Sequence, residues 1–181
     1  MMTLRLSIAA VLIAGGLTFG PTIEPAAPEA MALTVDSGHS NVIFRIMHAN
    51  TAPFWGRFNK VTGDLTFDAA DMSKCALTIV VDAASVDTNS KGRDDHLKGT
   101  DFFSVRQYPN ITFKSKSWKK TGEDAYDVTG KLSFHGVEKT ITVPVKKTGE
   151  GRARGKKKVG FESTFKICLL YTSDAADDSA C

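Results

Sequence analysis

Residues 95–113 read DHLKGTDFFSVRQYPNITF, and the fold turns on where this stretch is placed. It begins as a short helical turn and ends as the start of a strand, with Phe102, Phe103 and Tyr108 between. Leaving such side chains in water costs about 1.5–3 kcal/mol each, which predicts a segment folded back onto the chain rather than a free linker. Asp94, Asp95 and Asp101, beside Arg93 and Lys98, suit the capping of short helical turns (Asp101 before Phe102, for instance). They do not suit acid–base catalysis, because no nucleophile or orienting partner accompanies them.

On both sides of this stretch the dominant period is two. Val42, Phe44 and Ile46 share one face, and so do Val61, Gly63, Leu65 and Phe67, then Leu77, Ile79 and Val81. Beyond it, Ile111 and Phe113 oppose Thr112 and Lys114. Tyr126, Val128, Gly130, Leu132 and Phe134 form the next face, then Ile141, Val143 and Val145, and last Val159, Phe161 and Phe165. One apolar face per segment predicts an antiparallel sheet with a single buried side. Thr121-Gly122, His135-Gly136 and Thr148-Gly149 supply turn chemistry between strands. A sheet of this many strands either closes or packs on a second sheet. Gly56, Gly63 and Gly130 fall where closing strands would bend, so an up-and-down β-barrel is expected, with a sandwich as the alternative. A barrel of about eight strands has an interior that is either filled by side chains or holds one small ligand. The excursion between Val81 and Ile111 far exceeds a hairpin loop, and it covers a barrel mouth or completes an ordinary core.

The 181 residues suffice for one domain. Arg5, an apolar run over 6–19, a Pro/Ala-rich spacer and Ala30-Met31-Ala32 read as a secretory signal peptide spanning 1–32, which predicts export to the periplasm and a mature start at Leu33. The net charge of +3 lacks the basic stripe interleaved with aromatics that nucleic acid requires. Cys75, Cys168 and Cys181 make an odd count and no disulfide framework, and Cys75 reads as a small buried side chain. His39, His48, His96 and His135 lie too far apart to suggest a metal site. His135 reads as a turn residue. Arg152, Arg154, Lys156, Lys157 and Lys158 read as a solvated hairpin tip, with docking to anionic lipid as the alternative.

Val35-Asp36, His39-Ser40, Phe44 and His48 resemble the opening of the YceI-like family of secreted, lipocalin-like proteins. Gly56-Arg57-Phe58, Gly63-Asp64-Leu65-Thr66-Phe67 and Ala84-Ser85-Val86-Asp87-Thr88 continue the likeness in order. It is completed by Asp95-His96-Leu97-Lys98, Asp101-Phe102-Phe103, Tyr108-Pro109, Ile111-Thr112-Phe113 and the run from Gly130 to Val137. The resemblance spans about 33–165. It implies an extended antiparallel barrel around a long apolar tunnel that takes polyisoprenoid chains or similar amphiphiles outside the cytoplasm, without catalysis or cofactor.

With strand parity added, the expected wall is Phe44, Ile46, Leu65, Phe67, Leu77, Ile79, Phe113, Leu132, Phe134, Ile141 and Val143, with Phe102 and Phe103 at the mouth. His39, His48 and His96 are the candidate polar contacts there. A quinone-holding redox partner of a membrane electron carrier is the alternative function, and a lipid hydrolase or isomerase is disfavoured for want of a triad. Beyond the lipid, a transient membrane contact and a homodimer are the partners considered. The tail 168–181, CLLYTSDAADDSAC, breaks the alternation and looks non-native. The expected domain is therefore 33–167, with the closing strand or strands missing.

Overall fold

In a computed structural model, residues 30–48 and 51–167 are described. The strands are β1 (Met31–Thr34), β2 (Val42–His48), β3 (Ala52–Phe58), β4 (Val61–Phe67), β5 (Ala76–Asp82), β6 (Val86–Asp87), β7 (Asn110–Lys120), β8 (Ala125–Phe134), β9 (Val137–Ala153) and β10 (Lys156–Glu162). The helix α1 spans Lys91–Leu97. Seven strands form one antiparallel sheet in the order β1-β4-β5-β7-β8-β9-β10, curled into a half-barrel of lipocalin-like form. A smaller sheet, β2-β3-β6, stands apart from it.

The expected alternation is realised because one face of each strand is wet. Val61 pairs with Val81 and Leu65 with Leu77, all on the inner side. Gly63 admits the Thr78 carbonyl, against which any Cβ would collide. At Gly130 a Cβ would lie 2.5 Å from the Phe113 ring, so glycine lets that ring lie flat across β8.

The turns fall partly where expected. His135 and Gly136 have φ of 50° and 77°, the two left-handed positions that a tight hairpin of matching twist requires. Thr148-Gly149 is no turn: β9 runs through it, and the chain reverses at Arg154-Gly155, where φ is 50° and 76°. Gly149 instead sits near an irregularity, where the β10 register slips between Gly160 and Phe161.

Three strands escaped the sequence reading: β1, β3 and the two-residue β6. β1 pairs Met31–Thr34 with Asp64–Phe67, so the last two residues of the expected leader stand in a strand. The rest of that leader, 1–29, and the tail 168–181 lie outside the described residues. In β3, Pro53 and Gly56 break the alternation, but Gly56 is where the Phe44 ring of β2 comes to rest.

The stretch at 95–113 folds back as expected, although its helix starts earlier, at Lys91. Asp94 is half-buried and accepts from the Thr88 amide at 2.8 Å and the Thr88 hydroxyl at 2.6 Å. Arg93 donates to the Thr88 carbonyl at 2.7 Å and lies 4.6 Å above the Phe54 ring, which fastens α1 to the small sheet. Asp101 caps nothing and only receives the Thr100 hydroxyl at 3.4 Å. Asp71 and Asp82 do cap, each accepting from an amide two residues on, at the short 3-10 turns Met72–Lys74 and Ala83–Ser85.

Candidate functional site

Pairing across the large sheet lays its inner side chains out in rows. The central row runs Gly63, Ile79, Phe113, Leu132 and Lys139 across β4, β5, β7, β8 and β9. Beside it lie Leu65 opposite Leu77, and Gly130 opposite Ile141. Leu65, Leu77, Ile79, Phe113, Leu132 and Ile141 in these two rows are half-buried; beyond them Phe67, Cys75, Val128 and Val143 are buried at one end, and Val61 and Val81, but not Ile111 or Phe134, at the other.

Those ends are two separate clusters. At the upper end Phe58, Val61, Val81, Ala83, Val86, Leu97 and Phe103 are buried together. Phe44, Phe58, Phe103 and Phe134 meet ring to ring there, with centroids 5.4–6.5 Å apart. At the lower end Phe67, with no exposed surface, is ringed by Tyr126 at 5.5 Å, Phe161 at 5.2 Å and Trp118 at 6.1 Å. Tilted and edge-on rings at these separations are favourable pairs beyond their buried area.

Trp118 was not foreseen. Phe113 and Trp118 stand five apart, which strict alternation would put on opposite faces. A bulge at Lys116, between Ser115 and Ser117, brings both inward, and the Ser115 hydroxyl accepts the Leu77 amide at 2.8 Å where the ladder is interrupted. No pattern of apolar residues reveals such an inserted residue.

The expected wall thus divides. Leu132 lies between the clusters, while Leu65, Leu77, Phe113 and Ile141 are half-buried against the lower cluster and Ile79 against the upper. Phe67 and Val143 belong to the lower cluster, and Phe44, Phe103 and Phe134 to the upper. Ile46 lies on the inner face of the small sheet, paired with Phe54. Phe102 stays 40 % exposed, beside the His96 ring at 4.9 Å. His48 is exposed at the end of β2, and His39 is exposed and bonded to Asp36 at 3.1 Å. Among the described residues no three His, Cys, Asp or Glu side chains converge as metal ligands would. Cys75 is buried, exchanging weak hydrogen bonds with the Asp68 backbone, and burial raises its thiol pKa.

Polar atoms mark both clusters. Trp118 Nε1 and His135 Nε2 are buried without a protein hydrogen-bond partner, one in the lower cluster and one where Tyr108 and Phe134 stack on the imidazole. Where a closed tunnel was implied, the described strands leave a trough. No backbone ladder joins β1 to β10 among the described residues. Side chains alone bridge the gap: Lys158 of β10 bonds Asp36, just past β1, and Phe161 of β10 reaches Phe67 of β4. Lys158, and after it His39, hold the Asp36 carboxyl down to about 2.

A trough of apolar residues inside a curled antiparallel sheet, stoppered by aromatics, defines a lipocalin-like protein. The YceI-like domain model matches residues 33–170, and the chain belongs to that family. It is 37% identical over 158 residues to Protein YceI of Escherichia coli O17:K52:H18, covering 85% of this chain and 82% of that one. It is 34% identical to a UPF0312 protein of Ectopseudomonas mendocina, over 92% of this chain and 85% of the other. Among solved structures, BcnA of Burkholderia cenocepacia superposes with a TM-score of 0.61 at 33% identity, covering 65% of this chain and 73% of BcnA. The YceI protein of Campylobacter jejuni gives 0.57 at 32% identity, over 71% and 76%.

Proposed function

We propose that the chain binds a polyisoprenoid or similar long-chain amphiphile along the trough, outside the cytoplasm, as a carrier or sequestering protein rather than an enzyme. One observation carries this reading: the inner-face residues Leu65, Leu77, Ile79, Phe113, Leu132 and Ile141 stay half-buried, whereas the cluster at either end is built on buried side chains. A core built only for stability would close at its middle, because interiors pack to crystal density. Covering about 500 Å² of apolar chain contributes roughly 12 kcal/mol gross, from which ordering and lost tumbling subtract. The wall can therefore supply affinity with little help from a head group.

The test is mass spectrometry of lipid extracted from natively purified protein, beside the double variant Ile79→Trp/Leu132→Trp. The wild type is expected to carry a long apolar chain, and the variant, with an unchanged far-ultraviolet spectrum, to carry none. Equal retention by a folded double variant would sink the proposal.

A further inference from the structure

The β2–β3 hairpin turns Phe44, Phe54 and Phe58 toward the upper cluster and α1, which accounts for one of its faces. Its other face has no such role. Ile43 is 63% exposed, Trp55 62% and Met47 42%. The register sets Ile43 across from Arg57, Arg45 across from Trp55 and Met47 across from Pro53, so all six share one outer patch. Isolated exposed apolar residues are ordinary; three large ones on neighbouring cross-strand positions form a patch that marks an interaction surface.

The charges between them select the occupant. Arg45 touches Met47 Sδ at 3.6 Å, and no carboxylate among the described residues lies within ion-pair distance of it. Arg57 meets Asp87 at 3.3 Å, and the same carboxylate also holds Asn59 at 3.2 Å. A second copy laid face to face would set arginine against arginine, with one engaged carboxylate from each side. An anionic bilayer offers each arginine a phosphate, and its headgroup layer suits an indole flanked by aliphatic side chains.

We propose that the outer face of the β2–β3 hairpin docks the protein on an anionic lipid bilayer, with Trp55, Ile43 and Met47 entering the headgroup layer and Arg45 meeting phosphate. This surface is distinct from the trough and does not require a guest. It sets the upper end of the trough against the membrane. The β9–β10 tip is the rival basic surface, but Glu150 engages Lys157 at 2.9 Å, Asp36 engages Lys158, and no aromatic side chain lies between Gly149 and Lys158.

The experiment is co-sedimentation of the full-length chain with vesicles of phosphatidylcholine alone or mixed with phosphatidylglycerol, with tryptophan emission recorded in parallel. Binding is expected only to the mixed vesicles. The difference spectrum between wild type and Trp55→Ser is expected to shift blue on binding and to be quenched by brominated acyl chains. Arg45→Glu is expected to weaken partitioning about five-fold for the charge removed, and more for the charge added. Trp55→Ser is expected to weaken it about ten-fold, while Arg152→Glu/Lys156→Glu at the tip changes it less than about two-fold, because charges more than a Debye length from the surface are screened. The proposal is overturned by absent or charge-independent binding, or by loss through the tip variant with Trp55→Ser intact. It is equally overturned by a concentration-dependent dimer that Trp55→Ser dissolves, or by Trp55 emission already shielded from a soluble quencher without vesicles. Lipid retention in the trough, read by mass spectrometry, is a separate measurement that these outcomes leave unchanged.

Discussion

The two ends of the trough are closed by different means. The lower cluster is made almost entirely of residues from one sheet: Phe67, Trp118, Tyr126, Val128, Val143 and Val145 come from strands joined through backbone ladders. The upper cluster draws Phe58 and Val86 from the small sheet and Leu97 and Phe103 from α1 and the chain after it, none of which is laddered to the large sheet. Opening the lower end means breaking the sheet. Opening the upper end requires only that a hairpin and a helical excursion lift away, and such pieces occupy the low-stability end of a fold. For the proposed guest, the difference would make the lower end the scaffold and the upper end the doorway.

The sharpest way to break that contrast is a pair of truncations. Phe67→Ala should cost about 3–5 kcal/mol of global stability in urea unfolding, since its site is ringed by sheet residues that cannot collapse inward. Phe103→Ala should cost less globally and should instead accelerate amide hydrogen exchange in α1 and residues 98–109, while β8 and β9 stay protected. If Phe103→Ala deprotects β8 and β9 equally, the two ends are one cooperative unit and the contrast falls. Next in size, Gly130→Ala drives a methyl into the Phe113 ring and the Lys114 carbonyl and should destabilise by about 1–3 kcal/mol. Gly151→Ala, with open space around it, should stay within about 0.5 kcal/mol. Matching melting temperatures for the two variants would show that the trough floor yields more easily than its packing implies.

The smallest effect concerns the side-chain bridge between the edge strands. Asp36 is held at about 2, below its ordinary 3.8, so its contribution to stability is complete above about pH 4 and drains away as the pH falls toward 2. Asp36→Asn lacks that contribution, so wild type and variant should differ slightly at pH 5 and converge by pH 2 in thermal melts. The gap is small because both partners are solvent-screened. Parallel curves across that window would remove the bridge from any account of the gap between β1 and β10.

The features that alternation made legible are those where one residue in two meets water, and so β4, β5 and β8 stand where the apolar period put them. The rest was hidden for definite reasons. Met31 and Ala32 fit both a cleavage pattern and a strand, and pairing with β4 is a tertiary fact. Thr148-Gly149 has the chemistry of a turn, but seventeen residues of β9 pass through it to pair with β10. The wall residues in the middle of the trough were readable from parity. Which of them the buried cluster at either end would reach was not, because it depends on how far the sheet curls. Trp118 was lost to the bulge, and the outward patch around Trp55 to the break that Pro53 and Gly56 make in β3.

The bulge in β7 lets one strand touch both stoppers: Ile111 packs on the upper cluster and Trp118 belongs to the lower. Seven residues of extended chain span roughly 23 Å. Under the proposed function, a groove plugged at each end by aromatic rings would act as a gauge: hydrocarbon tails shorter than that interval would leave a gap, and longer ones would double back or protrude past Phe103. Selection among homologous tails would then be made by counting carbons, with head-group chemistry secondary.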